Sequence, residues 1–334
     1  MNELFETEKN QMPDSEKVWE NQLRPHSFSE FPGQDQVKEK LLVFIEAAKK
    51  RNEPLDHVLL SGPPGLGKTT LAQLIATGLG AHFKMASAPA LEKKGDLAAL
   101  LTSLQPFSVL FLDEIHRLHR SLEEYLYTAM EDYYIDIMTG EGLGARPMKF
   151  QLAPFTLIGA TTRAGLLNAP FRDRFGIVER LNFYDKSALQ KILVRSAVLL
   201  GVSTHEGGAE VISRRSRGTP RIANRLLKRV RDYAQVKGNG VIDAEMASYA
   251  LDQLGVDQFG LDPMDRRILQ LIYEKYQGGP VGIETLSAAL SEEKDTLEEV
   301  YEPFLIQEGY IQKTQRGRVL TESAKKQMSE VLCN

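Results

Sequence analysis

The sequence predicts an α/β domain with a parallel sheet and flanking helices, then an all-helical domain, then a C-terminal winged-helix domain. Two observations predict this order. Short apolar runs alternate with helical patterns up to residue 184, as strands and helices of a parallel sheet do. Beyond it the chain is helical and rich in arginine, and it closes with three helices and a basic hairpin. We expect a flexible leader at 1–20 and domains at 21–184, 185–255 and 256–334.

The composition is that of a globular protein with no global basic field. The 41 Lys and Arg against 45 Asp and Glu give a net charge of −4, so any nucleic-acid contact must come from a local patch. No apolar stretch approaches the roughly 18 residues of a membrane span, and we expect no signal peptide and no membrane contact. Cys333 is the only cysteine, which excludes an internal disulfide and favours the reducing cytoplasm.

A phosphate-binding loop is the strongest motif of the chain. Residues 62–69 match G-x-x-x-x-G-K-[ST] in full, between an apolar run and a helical pattern. Gly65 and Gly67 let backbone N–H groups approach phosphate oxygens. Lys68 reaches the β- and γ-phosphates of ATP, and the Thr69 hydroxyl ligates Mg²⁺. A glycine-rich turn that binds nothing is the alternative, which this context disfavours.

The other elements of the α/β domain follow from their patterns. They are helices at 35–51, 96–104 and 115–130 and strands at 83–87, 109–112 and 155–163.

Two carboxylates end one of these buried strands. Asp113 would reach the magnesium water shell, and Glu114 would polarise the attacking water as general base. Alone the pattern is weak, but it follows the phosphate loop by about 45 residues in an alternating chain.

Polar residues also form the end of the last strand. A hydroxyl such as that of Thr162 can hold the lytic water or touch the γ-phosphate, although it could merely cap the strand. Arg172 and Arg174 lie among aromatics, where an arginine can reach a neighbour's γ-phosphate or form a surface ion pair. The residues alone leave both choices open.

An alternating pattern at 135–138 and 148–152 predicts a β-hairpin with glycines at its tip. Its apolar residues at 148, 150 and 152 could form one buried face or an exposed partner-docking surface.

The segment 185–254 reads as all-helical, with a cluster of arginines and a lysine that a solvated face could explain. Thr219 is a good N-cap and Pro220 fits the first turn, so Arg221 would lie at the mouth of a helix. Residues 255–260 are expected to form a hinge.

The last domain has helices at 263–275, 283–290 and 294–307, then two short strands around a basic turn at 310–320. Lys313, Arg316 and Arg318 cluster there without acids, which suits phosphate contacts. Lys294 is a further candidate DNA contact. A winged helix used for protein contacts is the alternative.

Taken together, these stretches resemble the AAA+ ATPases, and among them the RuvB family of Holliday junction branch-migration motors. The resemblance covers nearly the whole chain. Its most specific strings are 55–57, 62–70, 113–117, 159–163, 217–221 and 278–282.

The resemblance implies a P-loop AAA+ core with a helical lid, and a homohexameric ring that pumps duplex DNA at four-way junctions with RuvA and the resolvase RuvC. It implies that hairpin 135–152 docks RuvA and that the wing contacts DNA. Thr162 and Arg221 match the family's sensors, and Arg174 its arginine finger. The implied ATP contacts are Leu23, Arg24, Gly65, Gly67, Lys68, Thr69, Thr70, Glu131, Asp132, Tyr133, Arg174, Tyr184 and Arg221.

Four positions depart from the family pattern without touching the expected catalytic groups. Gln315 replaces a proline at the wing, and Lys313 replaces an arginine, which keeps the charge but loses the fork. Ala88 and Phe171 stand where glycine and leucine are usual.

Two rival functions remain at this point. One is a clamp-loader-like switch, in which ATP binding does the work and turnover resets it. The other is a winged-helix transcription regulator with a vestigial nucleotide site, which an intact Lys68, Asp113 and Glu114 disfavour.

Overall fold

A computed structural model describes Trp19, residues 22–139 and residues 146–332. Within them the chain forms two compact units. The sheet unit consists of Arg24–Gly62 and Leu66–Asn182. The helical unit consists of Pro63–Gly65, the chain from Phe183 onward and the described residues up to Leu23.

The sheet unit alternates strands and helices. Its helices are α1 (Asp35–Arg51), α2 (Lys68–Leu79), α3 (Lys94–Thr102), α4 (Arg120–Asp132) and α5 (Ala169–Arg172). Its strands are β1 (Val58–Ser61), β2 (Phe83–Ser87), β3 (Ser108–Asp113), β4 (Tyr134–Thr139), β5 (Arg146–Gln151), β6 (Phe155–Thr161) and β7 (Ile177–Arg180).

Five parallel strands of the described chain form one sheet in the order β2-β3-β6-β1-β7. The three central strands are buried almost throughout, as expected when helices cover both faces. Ser61 of β1 pairs with Thr161 of β6, and Leu112 of β3 with Gly159 of β6. The carboxyl ends of β1, β3 and β6 therefore meet at one sheet edge, where ligands of such sheets bind.

The segment after β3 differs from the predicted helix at 115–130. Glu114 adopts a left-handed conformation (φ 51°), a 3-10 turn follows at Ile115–Arg117, and Leu118 and His119 are extended before α4 begins. The single helical pattern is thus broken where the chain leaves the sheet.

The predicted hairpin is present as the antiparallel pair β4–β5, with Tyr134 opposite Gln151 and Thr139 opposite Arg146. Its predicted glycine tip at 140–144 lies outside the described residues.

The helical unit contains the lid and winged-helix segments. Its helices are α6 (Lys186–Leu199), α7 (Glu206–Arg214), α8 (Pro220–Lys237), α9 (Ala244–Gln253), α10 (Pro263–Tyr276), α11 (Ile283–Leu290), α12 (Lys294–Thr296), α13 (Glu302–Gln307) and α14 (Glu322–Leu332). Its strands are β8 (Ser203–Thr204), β9 (Val241–Ile242), β10 (Ile311–Thr314) and β11 (Gly317–Leu320).

Three features of this unit were not predicted. β8 and β9 form a two-residue parallel pair inside the segment expected to be all-helical. α14 follows the wing, and Ala324 on it is buried in the winged-helix core. A π turn at Leu297–Tyr301 joins α12 to α13, with the Glu302 N–H donating to the Leu297 carbonyl. Pro303 follows at once and has no N–H to continue an α-helical pattern.

Candidate functional site

The phosphate loop connects β1 to α2 in a conformation that requires glycine. Gly62 has φ 138°, and a Cβ there would lie 2.5 Å from the Leu181 carbonyl oxygen. Gly67 has φ 94° and precedes the first turn of α2. Lys68 begins that helix, its side chain is buried, and its Nζ donates to the Gly62 carbonyl at 2.8 Å. Helix N–H groups and a lysine at one loop are suited to bind phosphate.

The Thr69 and Thr70 side chains follow Lys68 in the first turn of α2, and both are half-buried. A hydroxyl at this position is the type of group that ligates Mg²⁺ beside bound phosphates.

The two acidic residues lie at the same sheet edge. Asp113 ends β3, and its Oδ1 accepts the Glu114 N–H at 3.0 Å. Glu114 is half-buried, and the Thr162 hydroxyl after β6 lies 3.4 Å from its Oε2. The structure thus brings together Glu114 and Thr162, which the sequence predicted from separate motifs.

His116 is a further member of this site that the sequence did not single out. Its ring is buried on the 3-10 turn, with Nδ1 3.3 Å from Glu114 Oε2 and 3.0 Å from Thr161 Oγ1. Burial, and then the positive charges of Arg163, Arg117 and Lys68, lower the pKa of His116 to about 4, so it is neutral at physiological pH. The signal that could have found it is a histidine two positions after the glutamate.

Arg174 lies on the surface of the sheet unit. It comes later in the sequence than the residues at the strand ends. Its guanidinium pairs with Glu131 at 2.9 Å and lies 6.0 Å from the Tyr127 ring centroid. Glu131 and Asp132 are exposed at the end of α4. The structure therefore groups Arg174 with Glu131, two residues that the resemblance assigned to contacts near nucleotide.

A buried histidine, His57, fixes the end of α4 to the sheet. The Leu157 N–H donates to His57 Nδ1 at 2.9 Å, and Nε2 then donates to the Met130 carbonyl at 3.0 Å. Burial lowers the pKa of His57, which keeps it in this neutral form. The carbonyl of Tyr133, which has φ 52°, accepts the Leu152 N–H at 2.7 Å. The acidic end of α4 thus has a defined position.

The residues expected around adenine are divided between the units. Arg24, in the sheet unit, donates to Gln73 Oε1 at 3.3 Å. In the helical unit, the Leu23 carbonyl accepts from Arg195 at 2.7 Å, and the buried Tyr184 donates its N–H to the Gly218 carbonyl at 2.8 Å.

Arg221 in the helical unit lies beside the central glycine of the phosphate loop. Its N–H donates to the Gly65 carbonyl at 3.3 Å, and a Cβ on Gly65 would lie 3.0 Å from Arg221 Cβ and 2.7 Å from Thr219 Cγ2. Thr219 occupies the N-cap position of α8 as predicted, but its hydroxyl donates to the Arg217 carbonyl at 3.0 Å and makes no cap bond.

Arg217 is buried, whereas the cluster of arginines in this segment could have been explained by a solvent-exposed helix face. Its guanidinium pairs with Asp265 and, at 3.1 Å, with Asp262, and it donates to the Gly260 carbonyl at 3.0 Å. It also lies 4.8 Å from the Phe304 ring centroid. Burial, in a site where two aspartates share one arginine, raises the pKa of Asp265 to about 7.

Side chains on both sides contact the expected hinge at 255–260. Arg215 is buried and donates to the Val256 carbonyl at 2.8 Å. The Asp257 carboxylate accepts the Phe259 and Leu261 N–H groups, each at 2.9 Å. The lid and winged-helix segments that this stretch joins belong to one compact unit.

The basic residues of the wing have acidic neighbours, contrary to the expectation that they cluster without acids. Arg318 is buried, and its Nη2 contacts Glu298 at 2.9 Å and Glu302 at 3.0 Å. Burial leaves Arg318 almost no surface for a DNA phosphate. Lys313 is exposed but 3.2 Å from Glu298, whereas Arg316 is exposed at the tip.

Lys294, the remaining candidate DNA contact, is exposed and pairs with Glu284 at 2.7 Å. This hydrogen bond raises the pKa of its ammonium group.

The hairpin presents apolar side chains to solvent. Met148 and Phe150 are exposed, whereas Leu152 and Ile135 are buried. The interpretation of residues 148, 150 and 152 as one buried face is therefore wrong for Met148 and Phe150.

The described residues contain neither a metal-binding cluster nor a membrane-spanning helix. Trp19, 22–139 and 146–332 contain no cluster of three or more His, Cys, Asp or Glu side chains that could hold a metal ion. The same stretches contain no helix that is long and apolar enough to cross a membrane.

Family models match the chain in three consecutive stretches. The model of the Holliday junction DNA helicase RuvB P-loop domain matches residues 23–181. The RuvB AAA lid domain matches 184–257, and the RuvB C-terminal winged helix domain matches 258–329.

Relatives and solved structures agree with these models. The Holliday junction branch migration complex subunit RuvB of Bdellovibrio bacteriovorus is 76% identical over 312 residues, which cover 93% of this chain and 95% of that protein. The Thermotoga maritima RuvB Holliday junction branch migration motor superposes with a TM-score of 0.84 at 50% identity, covering 92% of this chain and 98% of that one. A single-site mutant of the Thermotoga maritima protein superposes with a TM-score of 0.85 at 51% identity, covering 92% of this chain and 98% of that one.

These matches confirm the α/β P-loop fold with lid and winged-helix domains that the sequence predicted. The chain belongs to the RuvB family, and it is an AAA+ ATP hydrolase.

Proposed function

We propose that this chain is an ATP-driven motor that moves duplex DNA and so drives branch migration of Holliday junctions in recombination and repair. The observation that carries the proposal is that all three RuvB domains match in order, over residues 23–329. The identity of 76% to a RuvB subunit along nearly its whole length supports it. The work is divided among the ATPase domain at 21–184, the lid at 185–255 and the DNA-binding head at 256–334, after a leader at 1–20.

ATP binds at the phosphate loop of the sheet edge. Gly65, Gly67, Lys68 and Thr70 hold the phosphates, and Leu23, Arg24 and Tyr184 line the adenine pocket. The buried, helix-initiating position of Lys68 supports this assignment.

Mg²⁺ fits the oxygen ligands available beside this loop. Thr69 would hold it with a hydroxyl and Asp113 with a carboxylate, the hard donors it prefers. When bound, the ion neutralises negative charge on the β- and γ-phosphates.

Hydrolysis uses the residues at the strand ends. Glu114 takes the proton of the attacking water. The Thr162 hydroxyl acts as the sensor of the γ-phosphate next to Glu114. The distance of 3.4 Å between the Thr162 hydroxyl and Glu114 Oε2 supports this pairing. Arg221 senses the phosphate from the lid, which its bond to Gly65 supports.

The site is completed by a second copy in a homohexameric ring. Arg174 acts as the arginine finger on the neighbour's γ-phosphate, with Glu131, Asp132 and Tyr133 near that nucleotide. Their exposure on the sheet unit supports contact with another chain.

Partners engage the hairpin and the wing. RuvA docks on hairpin 135–152, where Met148 and Phe150 are exposed. Arg316, with Lys313 and Lys294, contacts DNA phosphates, whereas Arg318 is left out because it is buried. RuvC acts on the same junctions. The chain and these partners work in the cytoplasm.

Branch migration of a synthetic four-way junction tests the proposal. We expect ATP-dependent strand exchange that RuvA stimulates, and none with Glu114→Gln, which keeps the side-chain volume but removes the base. A clamp-loader-like switch would complete one loading event with Glu114→Gln. Absence of ATP-dependent exchange with and without RuvA would refute the motor, and ATP-independent binding to one operator sequence would favour a transcription regulator.

A further inference from the structure

The carboxylate of Glu114 has a buried neighbour for which the proposed mechanism gives no role. His116 Nδ1 lies 3.3 Å from Glu114 Oε2, and only 4% of the histidine side chain is exposed. The same nitrogen lies 3.0 Å from Thr161 Oγ1, on the last residue of β6. One ring nitrogen thus faces both the expected general base and the sheet.

The backbone holds this arrangement on two sides. The Thr161 hydroxyl oxygen accepts the Arg163 N–H at 3.0 Å, which fixes its position at the strand end. Ile115, before the histidine, packs on Gly159, where an added Cβ would lie 2.8 Å from Ile115 Cδ1. His116 therefore cannot withdraw without disturbing the turn against β6.

The hydrogen-bonding capacity of the three groups, His116 Nδ1, Glu114 Oε2 and Thr161 Oγ1, determines which atom carries the hydrogen. An ionised carboxylate only accepts hydrogen bonds, so its contact with Nδ1 is favourable only when Nδ1 carries hydrogen. A hydroxyl oxygen can accept that same hydrogen. The Nδ1–H is therefore shared between Glu114 Oε2 and Thr161 Oγ1, which both lie within reach of it.

The charge state of the histidine suits a positioning role. Burial and the cations Arg163, Arg117 and Lys68 keep its pKa at about 4, so the donor is neutral imidazole at physiological pH. A neutral N–H lowers the basicity of a carboxylate less than an imidazolium would, because an opposite charge stabilises the ionised form. The contact therefore orients the carboxylate and leaves it able to act as a base.

We propose that His116 is a positioning residue for ATP hydrolysis: its Nδ1–H, which Thr161 Oγ1 also accepts, orients the Glu114 carboxylate for the attacking water. The inference rests on the proposed role of Glu114 as general base. His116 keeps its proton throughout, and the proton of the water goes to Glu114.

Three substitutions separate positioning from packing. His116→Leu removes the donor at similar volume, His116→Asn keeps an N–H near the Nδ1 position, and His116→Gln places its amide near the Nε2 position instead. Steady-state DNA-stimulated hydrolysis gives kcat and KM for ATP, and a fluorescent nucleotide gives the dissociation constant. Thermal unfolding shows whether each variant folds.

We expect His116→Leu to lower kcat about ten- to hundredfold, because a misplaced general base costs about that much, with KM changed less than about threefold. His116→Asn should retain kcat within about threefold, and His116→Gln should resemble His116→Leu. Adding His116→Leu to Glu114→Gln should have no further effect on kcat.

The outcomes distinguish this inference from the proposed function. If Glu114→Gln hydrolyses ATP like the unsubstituted chain, the base assignment fails and the inference fails with it. If Glu114→Gln is inactive while His116→Leu retains full kcat, only the role of His116 is overturned. If His116→Leu does not fold, equal kcat for the Asn and Gln variants overturns that role.

Discussion

The sheet edge and the helical unit use their charged side chains in opposite ways. At the sheet edge, Asp113 ends a buried strand and Glu114 follows it; both remain partly exposed and contact polar groups beside the phosphate loop. In the helical unit, Arg217 and Arg318 are buried, and each pairs with two carboxylates. Charge is kept available for chemistry in the first region and connects segments of the chain in the second.

The two arginine clusters are joined through one short helix. Phe304 on α13 contacts the Arg217 guanidinium, and Glu302 on the same helix pairs with Arg318 of the wing. Arg217 itself follows the lid helix α7. Lid, head and wing are therefore connected by buried ion pairs within one compact unit.

Replacing the buried Arg217 should have the largest effect on stability. We expect Arg217→Met to destabilise the chain by about 3–5 kcal/mol, because it leaves two buried aspartates without their cation. Urea unfolding followed by circular dichroism measures the loss, with the exposed Arg214→Met as control, expected within about 0.5 kcal/mol. Equal midpoints for the two variants would show that Arg217 does not connect the segments.

A smaller effect distinguishes the two arginines of the wing. Arg316→Ala should weaken duplex binding for all sequences and lower the salt dependence of affinity by about one counterion, with an unchanged melting temperature. Arg318→Ala should instead lower the melting temperature, since it leaves Glu302 buried and unpaired. Fluorescence anisotropy over a salt series, with thermal melts, measures both. The reverse pattern would mean that Arg318 is the phosphate contact.

The sheet edge could be predicted because its chemistry is encoded locally. The glycine spacing before Lys68 and the apolar run before Asp113 fix backbone and burial within a few residues. His57 escaped prediction because its partner Leu157 lies 100 residues away in sequence. For His116 the spacing to Glu114 was a local signal, but its burial against Thr161, 45 residues on, was not visible.

The helical unit was harder for the same physical reason. Whether an arginine is solvated or buried depends on its acidic partner, and for Arg217 that partner lies 48 residues later at Asp265. The glycines at 255 and 260 suggested a hinge, yet the carbonyl of Gly260 is held by Arg217. The edge strand β7 was missed because it is four residues long and alternates buried with exposed side chains.

Mixing two inactive variants tests most directly whether the ATP site is shared between copies. Arg174→Ala keeps its own phosphate loop and Lys68→Ala keeps its own finger, and each alone should lose roughly a thousandfold in DNA-stimulated hydrolysis. If Arg174 acts on a neighbour, mixed rings contain pairs with an intact loop facing an intact finger, and activity returns on mixing. Full activity of Arg174→Ala alone, or no recovery in a mixture shown to co-assemble, would contradict the shared site.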